Sequence, residues 1–264
     1  MRRPYLTPAR LTELRDGLGQ EQLVVLAHLQ VVRIATARQL QALAGVLNDA
    51  SATRRFRRLL AQMTEQRLIA RLDRVIGGAR SGSGGFVYRL DIAGQRLAGG
   101  SENRRPWTPR PSWLNHALAV TQLYVDLLAE TARSATIKLV SFQAEPACWR
   151  QFSEGYGQLT TLKPDAYLQL LSADYESHFY VEIDQGTESP ATLERKLAVY
   201  YHFWLAGGAE QTNGVMPLVI WIVPDGRRLE VVRQVLGRQS GELRNLHRVV
   251  VADEAVKRLV EGPH

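Results

Sequence analysis

Two apolar segments separated by a short polar gap carry acids where acids are hard to place. Lys163-Pro164-Asp165-Ala166-Tyr167-Leu168 runs on to Leu170, and Phe179-Tyr180-Val181-Glu182-Ile183-Asp184-Gln185-Gly186-Thr187 follows. Their patterning predicts two neighbouring strands of a hairpin. Side chains two apart on a strand share a face, so Glu182 and Asp184 point the same way. With Asp165 on the facing strand, three carboxylates would meet at one end of a sheet. Carboxylates so gathered repel one another unless a cation sits among them or some take up protons. An oxygen-rich site of this kind suits Mg²⁺ or Mn²⁺, which hold a phosphate and activate a water. Taken singly, Asp165 also reads as a turn residue after a proline, and Glu182 and Asp184 as a solvated strand face. Against that stands the apolar character of both strands, since a charge at the end of a buried strand needs a partner.

The 264 residues allow one large domain or two ordinary ones, and the charge divides them unevenly. Residues 1–110 hold 19 Arg, no Lys and 8 acids, a balance of +11, whereas residues 111–264 hold 14 basic and 18 acidic residues, a balance of −4. A basic half suits a polyanion, and a mildly acidic half suits acidic chemistry. Apolar runs such as Met216 to Val223 are too short to span a bilayer, and no apolar h-region follows the basic N-terminus. The single Cys148 makes no internal disulfide and belongs to no zinc-type cluster. A cytoplasmic protein without a membrane partner is the simple expectation.

In the basic half, Gln20 to Arg33 has helical periodicity, and Thr36 with Gln39 forms a capping box for a second helix ending at Gly45. A third helix, about Ser51 to Gln66, places Phe56, Leu59, Leu60 and Met63 on one face. At about 100° per residue, Arg54 and Arg58 fall at roughly 160° and 200° from Phe56, with Arg55 and Arg57 on the flanks. The helix docks by its apolar stripe and presents guanidinium groups outward. Two strands follow, Leu68 to Leu72 and Phe86 to Leu90, joined by a Gly-rich tip that carries Arg80. The tip is no phosphate-cradling loop, for it lacks the Lys-Ser/Thr ending and leads into no helix. Three helices and a hairpin are the order of a winged helix-turn-helix, whose third helix enters the major groove while its wing tracks the backbone. An Arg-rich solvated helix is the plainer reading of the same residues.

Gly99 to Pro111 reads as a linker, giving a winged-helix domain at 1–98, a linker at 99–111 and a second domain at 112–264. That second stretch predicts a long helix from Ser112, a strand from Thr136 to Ala144, a Gly-containing excursion, and the two carboxylate strands. A helix from Pro190 to Ala206 carries Lys196 and Tyr200; then come strand, helix, strand and helix. The order describes a mixed α/β sheet with helices on its faces.

Pro164-Asp165 on one strand and Glu182-x-Asp184 on the next resemble the PD-(D/E)xK nuclease fold of restriction endonucleases. The sequence departs where that pattern has a lysine two residues after the acid, for here the residue is Asp184. Lys196, on the following helix, is a candidate substitute. With Leu114-Asn115-His116-Ala117-Leu118-Ala119-Val120, Lys163-Pro164-Asp165, Val181 to Thr187, and Lys196-Leu197 with Tyr200, the chain is similar to the plasmid replication-relaxation family and MobC-type relaxases. The resemblance implies recognition of double-stranded plasmid DNA and nicking at an origin of transfer or replication. It implies Asp165, Glu182 and Asp184 as ligands of Mg²⁺ or Mn²⁺, a water attacking the phosphodiester, and Lys196 stabilising phosphate charge or orienting that water. His116 would be a proton shuttle or a residue ordering the carboxylates, and Glu145 a further member of the site. For both His116 and Tyr200, a place in the core is the plainer reading. A homodimer, and proteins of conjugative transfer or replication, are the partners it allows. The alternative is a non-catalytic DNA-binding replication or transcription factor on a degenerate nuclease fold.

Overall fold

Helix-forming stretches with side-chain caps and β-branched strands alternate along the chain, and the computed structural model describes residues 6–72, 85–99, 107, 109–154, 157–173, 175–208 and 214–262. It is an α+β protein of two compact units, Met1–Val125 and Asp126–His264.

The N-terminal unit runs α1 (Pro8–Asp16), α2 (Gln20–Val32), β1 (Ile34–Thr36), α3 (Ala37–Leu43), α4 (Ala50–Glu65), β2 (Ile69–Leu72), β3 (Val87–Leu90) and α5 (Ile92–Leu97). The expected capping box opens α3: Thr36 Oγ1 accepts from the Gln39 N–H, and Gln39 Oε1 accepts from the Thr36 N–H. Asp49 caps α4 by accepting from the N–H groups of Ser51 and Ala52. Phe56, Leu60 and Met63 are buried along one stripe of α4, each contributing roughly 1.5–3 kcal/mol by leaving water. The strands form an antiparallel sheet in the order β1-β3-β2. Its third member, β1, is too short to show a period of two in the sequence. Most of the Gly-rich tip, with Arg80, lies outside the described residues.

A long helix, α6 (Pro111–Arg133), follows. Leu114 and Ala117 are buried against Ile34 and Val87, and Thr121 Oγ1 donates to the Ile34 carbonyl at 2.7 Å. The opening turns of α6 therefore belong to the N-terminal unit, and the units divide inside this helix. Most of the stretch read as a linker, 99–111, lies outside the described residues.

The C-terminal unit contains β4 (Lys138–Ala144), β5 (Arg150–Ser153), β6 (Leu159–Leu162), β7 (Ala166–Leu171), β8 (Glu176–Ile183), α7 (Pro190–Leu205), β9 (Leu218–Val223), α8 (Gly226–Gly237), α9 (Gly241–Asn245), β10 (His247–Val251) and α10 (Ala255–Glu261). Five strands make a mixed sheet in the order β10-β9-β8-β7-β4. β8, β9 and β10 are parallel to their neighbours in that set, while β7 is antiparallel to both β8 and β4. The excursion after β4 is a separate hairpin, β5 with β6. Tyr167, Tyr180 and Trp221 from the sheet bury Leu193, Leu197, Tyr200 and Phe203 of α7. Among the described residues, no helix is long and apolar enough to cross a membrane.

Candidate active site

The antiparallel register of β7 and β8 brings the first two acids together. Ala166 pairs with Val181, and the Asp165 N–H donates to the Val181 carbonyl at 3.0 Å, which sets Asp165 opposite Glu182. Asp165 Oδ2 then accepts from the Ile183 N–H at 2.6 Å. Glu182 and Asp165 are 2% and 7% exposed.

Glu182 shares its sheet face with Tyr180, and α7 covers that face. Ser189 caps the helix by accepting from the Thr192 N–H, and Pro190 stands in its first turn. Lys196 and Tyr200, one turn apart, both reach Glu182. Lys196 Nζ lies 2.9 Å from Oε2, and the Tyr200 hydroxyl donates to Oε1 at 2.7 Å. Lys196 also meets Glu188 Oε1 at 2.8 Å. Burial, and then the charge of Asp165, push the Glu182 carboxyl up to about 7 while Lys196 opposes the shift. Burial alone would lower Lys196, but the charges of Glu182 and Asp165 outweigh it and hold the ammonium above the ordinary lysine range. Burial and the neighbouring Glu182 raise Tyr200 well above its usual value, so it remains a donor. Glu182 is thus a carboxyl raised by burial and a neighbouring acid, with a cation and a donor fixed on it.

Asp184 has a different environment. Arg228 Nε lies 2.5 Å from its Oδ2, and the Gly186 N–H donates to Oδ1 at 2.7 Å. Gly186 turns the chain with a φ of +79°, a conformation that suits glycine. Arg228 also donates to the Glu188 carbonyl. Among the described residues, no three His, Cys, Asp or Glu side chains are grouped to hold an ion. The expected trio is therefore a pair, Asp165 and Glu182, with Asp184 held by arginine instead. The strand alternation that aligns Glu182 with Asp184 stops at Ile183, beyond which the turn takes over.

Glu145 follows the last residue of β4, next to the strand of Asp165. Its N–H donates to the Asp165 carbonyl, and it acts with Asp165 and burial to raise the Cys148 thiol, burial contributing most. His116 lies on the part of α6 that belongs to the N-terminal unit, its ring tilted against Trp113. On α4, Arg54, Arg55, Arg57 and Arg58 are exposed, and Arg55 pairs with Glu21 at 2.8 Å. Arg228, the partner of Asp184, is the residue that the sequence patterns do not point to. Its signal was a parallel β8–β9 pairing, which places the start of α8 at the same sheet end as Asp184.

No curated protein matches the chain. A family model described as replication-relaxation matches residues 26–219, which is most of its length. The chain belongs to the replication-relaxation family.

Proposed function

We propose that this chain binds plasmid DNA through its basic N-terminal unit and nicks a phosphodiester at the acidic end of its C-terminal sheet. Family membership ties it to a plasmid replication- or relaxation-related role. The order α2-α3-α4-β2-β3 supports a winged-helix reading of the first unit, with α4 as the element that enters the major groove of duplex DNA. The sheet with α7 on its face supports a restriction-endonuclease-like reading of the second. The observation that carries the catalytic proposal is Lys196 at 2.9 Å from a buried Glu182 that feels the charge of Asp165. An acid pair with a lysine is the residue set of a PD-(D/E)xK site, here with the lysine supplied by the helix.

Asp165 and Glu182 suit Mg²⁺ or Mn²⁺ as a pair of hard oxygen donors, because such ions commonly take one or two carboxylates and complete their shell with water and substrate phosphate. Asp184 is not grouped with them among the described residues, and Arg228 meets its charge. When bound, the ion supplies positive charge to the phosphate and a more acidic water. The Ile183 N–H fixes Asp165, and Tyr200 fixes Glu182. Lys196, held between Glu182 and Glu188, presents a third donor direction toward charge developing on a phosphate oxygen.

A second reading follows from the same contacts. Both oxygens of Glu182 already have protein donors, which favours a structural network in a non-catalytic DNA-binding factor. The readings separate on a supercoiled plasmid carrying the cognate origin, incubated with Mg²⁺ or Mn²⁺. The catalytic proposal expects open-circular product from the wild-type chain and its loss in Asp165→Ala and Lys196→Ala. Undiminished nicking by Asp165→Ala, or none by the wild type, would leave the second reading.

A further inference from the structure

An exposed tryptophan and a lysine, with no part in the contacts described so far, lie on the turn after β4 and on the segment that leads into Asp165. Trp149 is 36% exposed, and Lys163 Nζ lies 5.0 Å from its ring centroid. Lys163 is itself exposed and precedes Asp165 by two residues. An exposed indole with a cation over its ring suits a partner with both a flat apolar face and negative charge.

The turn that carries Trp149 is fixed to the strand that carries Asp165. The Glu145 N–H donates to the Asp165 carbonyl at 3.2 Å, and the Cys148 thiol donates to the Pro164 carbonyl at 3.0 Å. Arg150 closes the turn from the other side, its Nη1 donating to the carbonyls of Ala147 and Trp149 at 3.0 and 3.1 Å. The indole is thus positioned by the same segment that positions the acid, so a group resting on it keeps a constant offset from Asp165.

We infer that Trp149 and Lys163 form a platform for an unpaired nucleotide of the strand to be cut, the base stacking on the indole and the lysine meeting its phosphate. Stacking on an aromatic side chain needs a free base face, which a base inside a duplex does not offer. The platform therefore selects single-stranded or locally melted DNA at the cleavage site, while the duplex is read by the other unit. This inference rests on the nucleic-acid reading above, and it needs no bond to be broken.

The test is equilibrium binding of a fluorescein-labelled single-stranded oligonucleotide in EDTA, by anisotropy, so that nicking cannot affect the readout. The full chain is used on an Arg54→Ala/Arg58→Ala background, which removes duplex-reading arginines from the signal. Trp149→Ala is expected to weaken binding on the order of 10- to 100-fold, Trp149→Phe to keep it within about threefold, and Lys163→Gln to flatten its salt dependence. A matched duplex should bind more weakly than the single strand and be insensitive to Trp149→Ala. Equal affinity of Trp149→Ala and its parent for the single strand overturns the platform, as does a preference of the parent for duplex. Either result leaves the plasmid-nicking assay to be decided by itself, and failure of nicking with this binding intact would retain the platform and discard only the catalysis.

Discussion

On α4, Arg54, Arg57 and Arg58 stand exposed, and of the four arginines there only Arg55 has a carboxylate partner among the described residues. At the end of the five-stranded sheet, Asp165, Glu182 and Asp184 are each less than a tenth exposed, and Glu182 and Asp184 have a cation within hydrogen-bonding distance. An exposed guanidinium keeps most of its hydration and stays available to a phosphate or a guanine edge. A buried carboxylate forfeits several kcal/mol of hydration, and its first claim is on an internal partner. Charge on a surface can be assigned to a ligand directly. Charge in a core has to be matched to its own chain first, and only the remainder is open to a substrate.

The largest expected effect is on the buried side. Arg228→Ala should cost about 3–5 kcal/mol of unfolding free energy, because it strands Asp184 without a cation. The pairing also offsets an unfavourable position, since Arg228 sits near the N-terminus of α8, where the helix dipole disfavours positive charge. Urea denaturation of the full chain measures it. A loss below about 1 kcal/mol would mean that Asp184 reaches water, and the contrast between the units would break.

A pH series sharpens the same contrast at Glu182. Its folded pKa is raised from 4.5 to about 7, so the folded chain binds that proton more tightly than the unfolded chain does. Its contribution to stability is fullest below pH 4.5 and declines as pH rises through about 7. The decline should be on the order of 3 kcal/mol, read as the difference between the wild-type and Glu182→Gln stability curves across that window. A flat difference curve would show that Lys196 fully compensates burial and that Glu182 is an ordinary anion.

How much of this was legible in the sequence follows the same division. The helices with local side-chain caps, such as α3 behind Thr36 and α7 behind Ser189, were readable because capping is a contact over three residues. The β7–β8 hairpin was readable because alternation and a short polar gap are local as well. So was the outward set of α4 arginines, which only needs the helical period. Asp184 was misplaced because its partner, Arg228, is 44 positions away, across a parallel pairing that no local pattern announces. The helical pattern of α7 contains Lys196, yet its arrival at Glu182 depends on where α7 lies on the sheet, which is a tertiary fact. The β5–β6 hairpin, built from Arg150–Ser153 and Leu159–Leu162, has too few apolar residues to announce two strands.

A smaller effect belongs to the exposed side, and it should appear in binding instead of folding. Arg54→Ala and Arg58→Ala should each weaken specific duplex binding by about 1–3 kcal/mol if they read base edges, while shifting stability by no more than about 0.5 kcal/mol. Anisotropy with the origin duplex at two salt concentrations distinguishes base reading from phosphate contact. A reduced salt slope with unchanged sequence preference would assign both arginines to the backbone.

The smallest expected effect is the most direct comparison, because it sets one ion pair against another. Arg55 Nη2 and Glu21 Oε1 are 2.8 Å apart, hardly farther than Arg228 and Asp184, so distance alone would rank the two bridges together. Their surroundings differ: the Arg55 and Glu21 side chains are 61% and 40% exposed, whereas those of Arg228 and Asp184 are 11% and 1% exposed. In water the attraction is screened, and ordering two long side chains offsets most of what is left. Arg55→Ala should therefore change unfolding free energy by less than about 0.5 kcal/mol, and 1 M salt should erase even that. A salt-resistant loss of 2 kcal/mol or more, on the scale expected for Arg228→Ala, would show that this bridge helps to hold α4 against α2 and that Arg55 is a structural residue, leaving Arg54, Arg57 and Arg58 for the proposed DNA contact.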